Sequence, residues 1–414
     1  MSITLRRSLA LAIAAGCLAA LTVPVVADHA AAVRDLDTLF ALYDREPDGP
    51  AKEQLAAEID AAAHQKYATV SRLYWHTDLS SATQAARLHG RPILHLRMLG
   101  RLDEDLSCAN SRLFRATLYA NQDISAFLRE KFVLYWSSER PVPRVTIDYG
   151  DGRKLERTTT GNSAHYVLDE DGNVLDVLPG LYAPNAFRRE LEGSLALAAR
   201  VRGTSHESRM QVVTDYHRQR VADADRDWQR LSPGVRTPVA PALQPRVRGE
   251  LAVAQLNTMV KAVMELRDLR YFAKGLAPEA VPEDQVELWS AVGLGLYGDR
   301  TGARGFRVLD EASRTLIVRL HNAVPIDLRA SGEQRDAMIA RLEQLIVADS
   351  ALNQLRLRPQ IGREIVRRRG RTDFATLNAW IYARVFRTPQ QDAWLGLLPR
   401  DVFTGLPGDG VVMR

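Results

Sequence analysis

The sequence predicts a mixed α/β domain, in which helices flank a central sheet, followed by an all-α domain. Three observations predict it. Between Tyr74 and Ala199, short apolar runs alternate with stretches whose apolar residues recur every three or four positions. After Gly249 the pattern is helical throughout: Leu256, Val260 and Val263 share one face, Leu342, Leu345 and Ile346 another, and Leu377, Trp380, Ile381 and Val385 a third. Between these regions Pro233, Pro238, Pro241 and Pro245 fall within thirteen residues. Proline at that density removes amide donors and favours extended chain, which marks a boundary.

Taken in order, the chain opens on Arg6-Arg7, an apolar stretch from Leu9 to Val26, and small residues ending at Ala27. This predicts a cleavable signal peptide over residues 1–27 and a periplasmic or secreted protein. A retained anchor is the alternative, since the stretch is about the spanning length. Arg6-Arg7 is also a twin-arginine pair, though its flanks fit that export route poorly. Ala14-Ala15-Gly16-Cys17 approximates a lipoprotein box without the usual branched aliphatic residue, so anchoring through Cys17 is a further variant. Loss of the signal takes the net charge from +5 to +3, too small a surplus on a long chain to argue for a nucleic-acid partner. It also leaves Cys108 as the one cysteine, with no partner for an internal disulfide.

Residues 28–72 read as a helical extension, with Val33, Leu36, Leu39 and Phe40 on one face and a second helix from Lys52 to His64. Asp78 or Ser80 caps a helix that runs to Leu88 and stops at Gly90. Pro92 to Met98 is a strand, Asp103-Glu104-Asp105 an acidic loop, and a helix begins near Cys108 and runs through Leu118. Asp123 to Arg129 extends or follows that helix, and Phe132 to Trp136 is a second strand. Val145 to Tyr149 and Leu155 to Thr160 flank Gly150-Asp151-Gly152 as a hairpin; His165 to Leu168 and Val174 to Leu178 flank Asp169 to Gly172 as another. Pro184 to Ala199 closes the domain, which spans residues 73–200. A long polar helix, Glu207 to Leu231, and the proline-rich linker occupy 201–248, and the all-helical domain occupies 249–414.

The order of helix, strand, cysteine-bearing helix, strand, hairpin and final helix resembles the thioredoxin-like superfamily. Ala82 to Leu96, with Arg91-Pro92 before Ile93-Leu94, is similar to the lead-in helix and first central strand of that family. Phe132-Val133-Leu134 is similar to the next strand, Gly161 to Gly172 to the antiparallel strand and its turn, and Gly180 to Leu191 to the last strand and final helix. The resemblance implies a thioredoxin-like fold, with Cys108 and Ser111 at the two places of the Cys-x-x-Cys motif. It implies Ser163, followed by Ala164, at the substrate-presenting cis-proline position. A thiolate at a helix start faces unsatisfied amides and the positive end of the dipole, which lowers its pKa. Arg112 and Arg115 add to that effect, whereas Asp103, Glu104 and Asp105 oppose it.

Two departures restrict the chemistry. Ser111 cannot resolve a mixed disulfide, which excludes a dithiol reductase. Ser163 cannot hold a cis bond cheaply, because the cis form costs about 2.5–4 kcal/mol without proline. Cys108 is therefore a single-thiol redox site, with Ser111 donating to the thiolate and a protein or small thiol as partner. Alternatively it is a buried cysteine on a fold reused for binding, with the helical domain as partner module, or it pairs with a second chain.

Other signals carry less. Gly293-Leu294-Gly295-Leu296-Tyr297-Gly298 matches a dinucleotide string, but the preceding residues read as helical, so the glycines are expected to mark a helix end. His206-Glu207 lacks a second histidine at zinc-protease spacing, Asp169 to Gly172 is too short for a calcium loop, and no phosphate loop is present, so no metal or cofactor is expected. His95 is expected to be hydrogen-bonded in the core, and His165 could lie near Cys108 as a base. Asp349, Asn353 and Arg356 are expected to form a buried network. The run Arg363, Arg367, Arg368, Arg369 and Arg371 suits a helix end, or peripheral contact with an anionic lipid or protein. Trp380, Phe386, Trp394 and Leu395 are expected to anchor the C-terminal core, a peptide groove being the other reading.

Overall fold

The computed structural model describes residues 35–158, 162–232, 283–298 and 308–386, except 325, 327, 328 and 372. The expected signal segment, the proline cluster, the Leu256–Val263 face, Trp394 and Leu395 lie outside these residues. No helix among the described residues is long and apolar enough to cross a membrane.

Residues 35–45 form helix α1, followed by α2 (Pro50–Ala63) and the short α3 (Ala68–Ser71). Helix α4 (Leu79–His89) starts where the Asp78 carboxylate accepts from the Ser81 amide and stops at Gly90, whose φ of 59° is the left-handed region glycine favours. Strand β1 (Ile93–Leu99) leads to α5 (Ala109–Leu113), which continues as a π-helical turn, Phe114–Leu118. Then come α6 (Gln122–Lys131), β2 (Val133–Arg140), the hairpin β3 (Arg144–Asp148) and β4 (Lys154–Thr158), β5 (Ala164–Leu168), β6 (Val174–Pro179) and α7 (Pro184–Val201). Helix α8 (His206–Leu231) precedes the C-terminal elements α9 (Glu283–Tyr297), α10 (Glu311–His321) and α11 (Gly332–Leu352). A second π-helical turn, Asn353–Leu357, leads into α12 (Arg358–Arg367). Helix α13 (Phe374–Trp380) ends in a third π-helical turn, Ile381–Val385.

Four strands form one mixed sheet in the order β2-β1-β5-β6. β1 runs parallel to β2, with Ile93 opposite Val133, and antiparallel to β5, with Leu96 opposite His165; β5 and β6 are antiparallel. β3 and β4 form a separate two-stranded sheet. The near-continuous apolar runs of β1, β5 and β6 follow from burial on both faces. Helices α4 and α6 pack on β2, and α7 packs on β6.

The C-terminal helices share the core of the sheet. One continuous apolar cluster joins Trp75, Leu94, Phe114, Tyr166 and Phe187 to Trp289, Ile361, Tyr382 and Phe386. Trp380 is partly buried against it and Phe386 is fully buried within it. Gly180, at φ 74° after β6, makes this approach possible, because a Cβ there would lie 2.7 Å from the Asn353 amide nitrogen. Gly293 and Gly295 differ from expectation. They sit inside α9, and only Gly298, at φ 65°, marks its end. At Gly293 a Cβ would meet the Val347 carbonyl oxygen at 2.5 Å, so this glycine serves a close crossing of α9 and α11.

Candidate functional site

Cys108 is the N-cap of α5, with its amide donating to the Leu99 carbonyl at 3.2 Å. Its Sγ lies 3.0 Å from Ser163 Oγ. Ser163 ends the segment before β5, so pairing β5 against β1 carries this hydroxyl across 55 residues to the cysteine. The peptide bonds around it are trans; no cis bond occurs among the described residues.

Ser111 is turned elsewhere. Its hydroxyl donates to Ser107 Oγ at 2.6 Å and to the Cys108 carbonyl at 2.9 Å, closing the first turn of the helix. The hydroxyl on the sulfur is thus that of Ser163, where a donor from Ser111 was expected. Ser163 and Ala164 are placed at the site, but their backbone is occupied. The Ser163 carbonyl accepts from the Gly180 amide at 2.9 Å, and Ala164 pairs with both Arg97 and Pro179.

Cys108, Ser111, Ser163 and Ala164 all have 0 % exposed surface. Two elements bond to the backbone beside these residues. From the hairpin, Thr158 donates to the Ser107 carbonyl at 3.0 Å, and Arg112 bridges that carbonyl to Thr158. From the C-terminal π-helical turn, Tyr382 donates its hydroxyl to the Asn162 carbonyl at 3.0 Å. Two of the three π-helical turns among the described residues therefore border the cysteine: Phe114–Leu118 continues its helix and Ile381–Val385 carries Tyr382.

Arg115, expected to act on the sulfur, is buried beneath the acidic loop. It donates to the carbonyls of Leu102 and Glu104 at 3.2 and 2.7 Å and to Ser107 Oγ at 3.1 Å; burial holds its pKa below the usual arginine value. The loop carboxylates turn outward, Asp103 to Arg101 and Glu104 to Arg144. His165 is fully buried. Its Nε2 is 2.7 Å from Tyr119 Oη, and burial pushes its pKa down to about 3, which keeps the ring neutral. His95 behaves as a core histidine, with Nε2 2.7 Å from Ser137 Oγ and its ring stacked on Tyr135.

The C-terminal cover is fastened to the sheet by groups the sequence did not single out. Arg358 pairs with Asp176 on β6 at 2.5 Å and with Glu190 on α7, which also binds Arg220. Burial raises the Asp176 carboxyl, but Arg358 and then His217, Ser194 and Arg220 more than offset it, and its pKa falls to about 2. Asn378 donates to Glu139 at 2.9 Å and accepts from Tyr166 at 2.9 Å. Asp349 and Asn353 are fully buried, and Asn353 reaches the Leu181 carbonyl at 2.7 Å, whereas Arg356 stacks on Trp228. No spacing signal marks Arg358, Tyr382 or Asn378, because these partners lie 168 or more residues away along the chain and meet only once it has folded. In the basic run, Arg363 pairs with Asp225, and Arg367 and Arg368 with Glu364.

Comparison with protein-family models, with curated proteins and with solved structures finds no significant match to this chain.

Proposed function

We propose that this chain is an exported, non-catalytic thioredoxin-like protein that reuses the fold for binding. Cys108 is a core residue in it, and the C-terminal helical region is the partner module. The observation that carries the reading is the complete burial of Cys108, Ser111, Ser163 and Ala164 beneath Thr158 and Tyr382. A thioredoxin-like site needs its sulfur and the backbone before its antiparallel strand open to substrate. Here both are filled from within the chain. The thioredoxin-like reading draws support from the strand order β2-β1-β5-β6, with one parallel and two antiparallel pairings. It also draws support from Cys108 capping the helix after the first central strand and from Ser163 touching its sulfur. Export is supported by Arg6-Arg7 and the apolar stretch that ends at Ala27.

The second reading is a single-thiol exchanger that works when the cover opens. It is favoured by the Ser163 hydroxyl 3.0 Å from the sulfur, a donor suited to a thiolate. The two readings are separated by the alkylation rate of Cys108 in the native protein. Inert binding expects modification at least about 1,000-fold slower than in denaturant, since reaction waits for opening that costs several kcal/mol. Rapid native alkylation, or mixed disulfides trapped with glutathione disulfide, would overturn it.

A further inference from the structure

Away from the cysteine, a cleft of about 280 Å³ lies between α1, the Arg72–His76 segment and the start of β2. Its floor is apolar, with Leu36, Phe132 and Leu134 buried, and its lip is polar, with Asp37, His89 and Arg129 exposed. Arg72 stacks on Phe40 with 4.5 Å to the ring centre and pairs with Asp44 at 2.5 Å. Arg91 and Arg129 face the same space and are bound through carbonyls. Arg91 donates to the Arg129 carbonyl at 2.9 Å, and Arg129 donates to the Ser71 carbonyl at 2.7 Å. Glu130, beside Arg129 in the chain and close enough to feel the charge of Arg91, is held by Lys131 at 2.6 Å. Desolvation and then the charge of Arg72 hold the Arg129 guanidinium below its usual pKa.

We propose that this cleft binds a small amphiphilic carboxylate, with an aryl or short-acyl body on Phe40 and Phe132 and its carboxylate between Arg91 and Arg129. The recognition follows from the residue types: apolar walls take the body, and guanidinium forks match a carboxylate bidentately. The volume falls just below the usual range of ligand cavities, about 300–1,000 Å³, which disfavours a long acyl chain. Asp37 on the lip disfavours ligands with two or three negative charges.

The test is calorimetric titration of the full-length mature protein with 3-phenylpropionate and octanoate, alongside 3-phenylpropan-1-ol and acetate. The two amphiphilic acids are expected to saturate one site with a Kd on the order of 0.1–1 mM, while the alcohol and acetate bind at least about tenfold more weakly. Arg129→Gln is expected to weaken the acids about tenfold, and Arg91→Gln similarly, with circular dichroism unchanged. Should Arg129→Gln fail to fold, Arg91→Gln and Phe40→Ala decide the matter. The proposal is overturned if neither acid saturates, if the alcohol or acetate binds as well as the acids, or if folded arginine variants bind them unchanged.

Discussion

Replacing Arg358 with methionine removes the cation that fastens the C-terminal helices to the sheet while keeping most of its volume. Its side chain is 6 % exposed and that of Asp176 0 %, so the carboxylate is left in the core without its main counter-charge. Breaking a buried pair from one side costs about 3–5 kcal/mol. Glu190 keeps Arg220, and Asp176 keeps Ser194, Tyr216 and the Val177 amide, which places the loss near the lower end, about 3 kcal/mol. That is a large share of the stability of an ordinary domain, about 5–15 kcal/mol.

The pH dependence of this loss has a definite sign. In the parent, Asp176 titrates at about 2, below its unfolded value of 3.8, so its contribution is present above about pH 4 and is lost as pH falls toward 2. Without Arg358, burial dominates and the carboxyl rises above its unfolded value. The deficit of the variant is then largest at neutral pH and shrinks on acidification, as the folded state takes up a proton first. Urea unfolding of variant and parent at pH 7 and pH 5 measures both effects. Adding Asp176→Asn removes the stranded charge and is expected to restore most of the loss. If the cover opens as part of the same cooperative unit, alkylation of Cys108 accelerates about 100-fold in step with the 3 kcal/mol. A loss below about 1 kcal/mol, or one that does not change with pH, would refute the argument that Arg358 neutralises a buried carboxylate.

Three further outcomes follow from the same contacts. Tyr382→Phe keeps the ring but removes the bond to Asn162, so stability should drop by about 1 kcal/mol and native alkylation of Cys108 should quicken about fivefold, read by mass spectrometry. Gly293→Ala drives a methyl into the Val347 backbone, which cannot swing aside as a side-chain end would, and should cost more than about 2 kcal/mol in a denaturant titration. His165 should stay neutral by nitrogen NMR from pH 7 to pH 5. Its folded pKa of about 3 lies below the ordinary 6.5, so its share of stability is present above pH 6.5 and is lost as pH falls toward 3, at up to about 1.4 kcal/mol per unit. A His165 ring that charges near pH 6 would contradict its burial.

Much of the α/β region was legible because its signals are local. Asp78 and Gly90 bracket α4 through bonds made within a few residues. The run Ile93 to Leu96 is a strand because both its faces are buried, and Asp169 to Gly172 turns where predicted, with the Asp169 carboxylate accepting from the Asp171 and Asn173 amides. Cys108 was placed correctly at a helix start. The glycines of α9 were misplaced because their reason is Val347 on another helix, which no local pattern encodes. Ser111 was assigned to the sulfur from its position alone. In the fold, Ser107 offers it a nearer acceptor, and the Ser163 hydroxyl takes the place beside Sγ.

By itself, the sequence determined the mixed sheet with its helices, the helical C-terminal region, and a lone cysteine at a helix start with no second thiol nearby to resolve a disulfide. Those follow from periodicity, caps and turn residues, whose interactions span a few positions. The tertiary structure alone decided whether that cysteine meets solvent. Tyr382 and Arg358 come from far along the chain, the one bonding beside Ser163 and the other fastening the C-terminal helices to β6 and α7, contacts that local sequence does not encode.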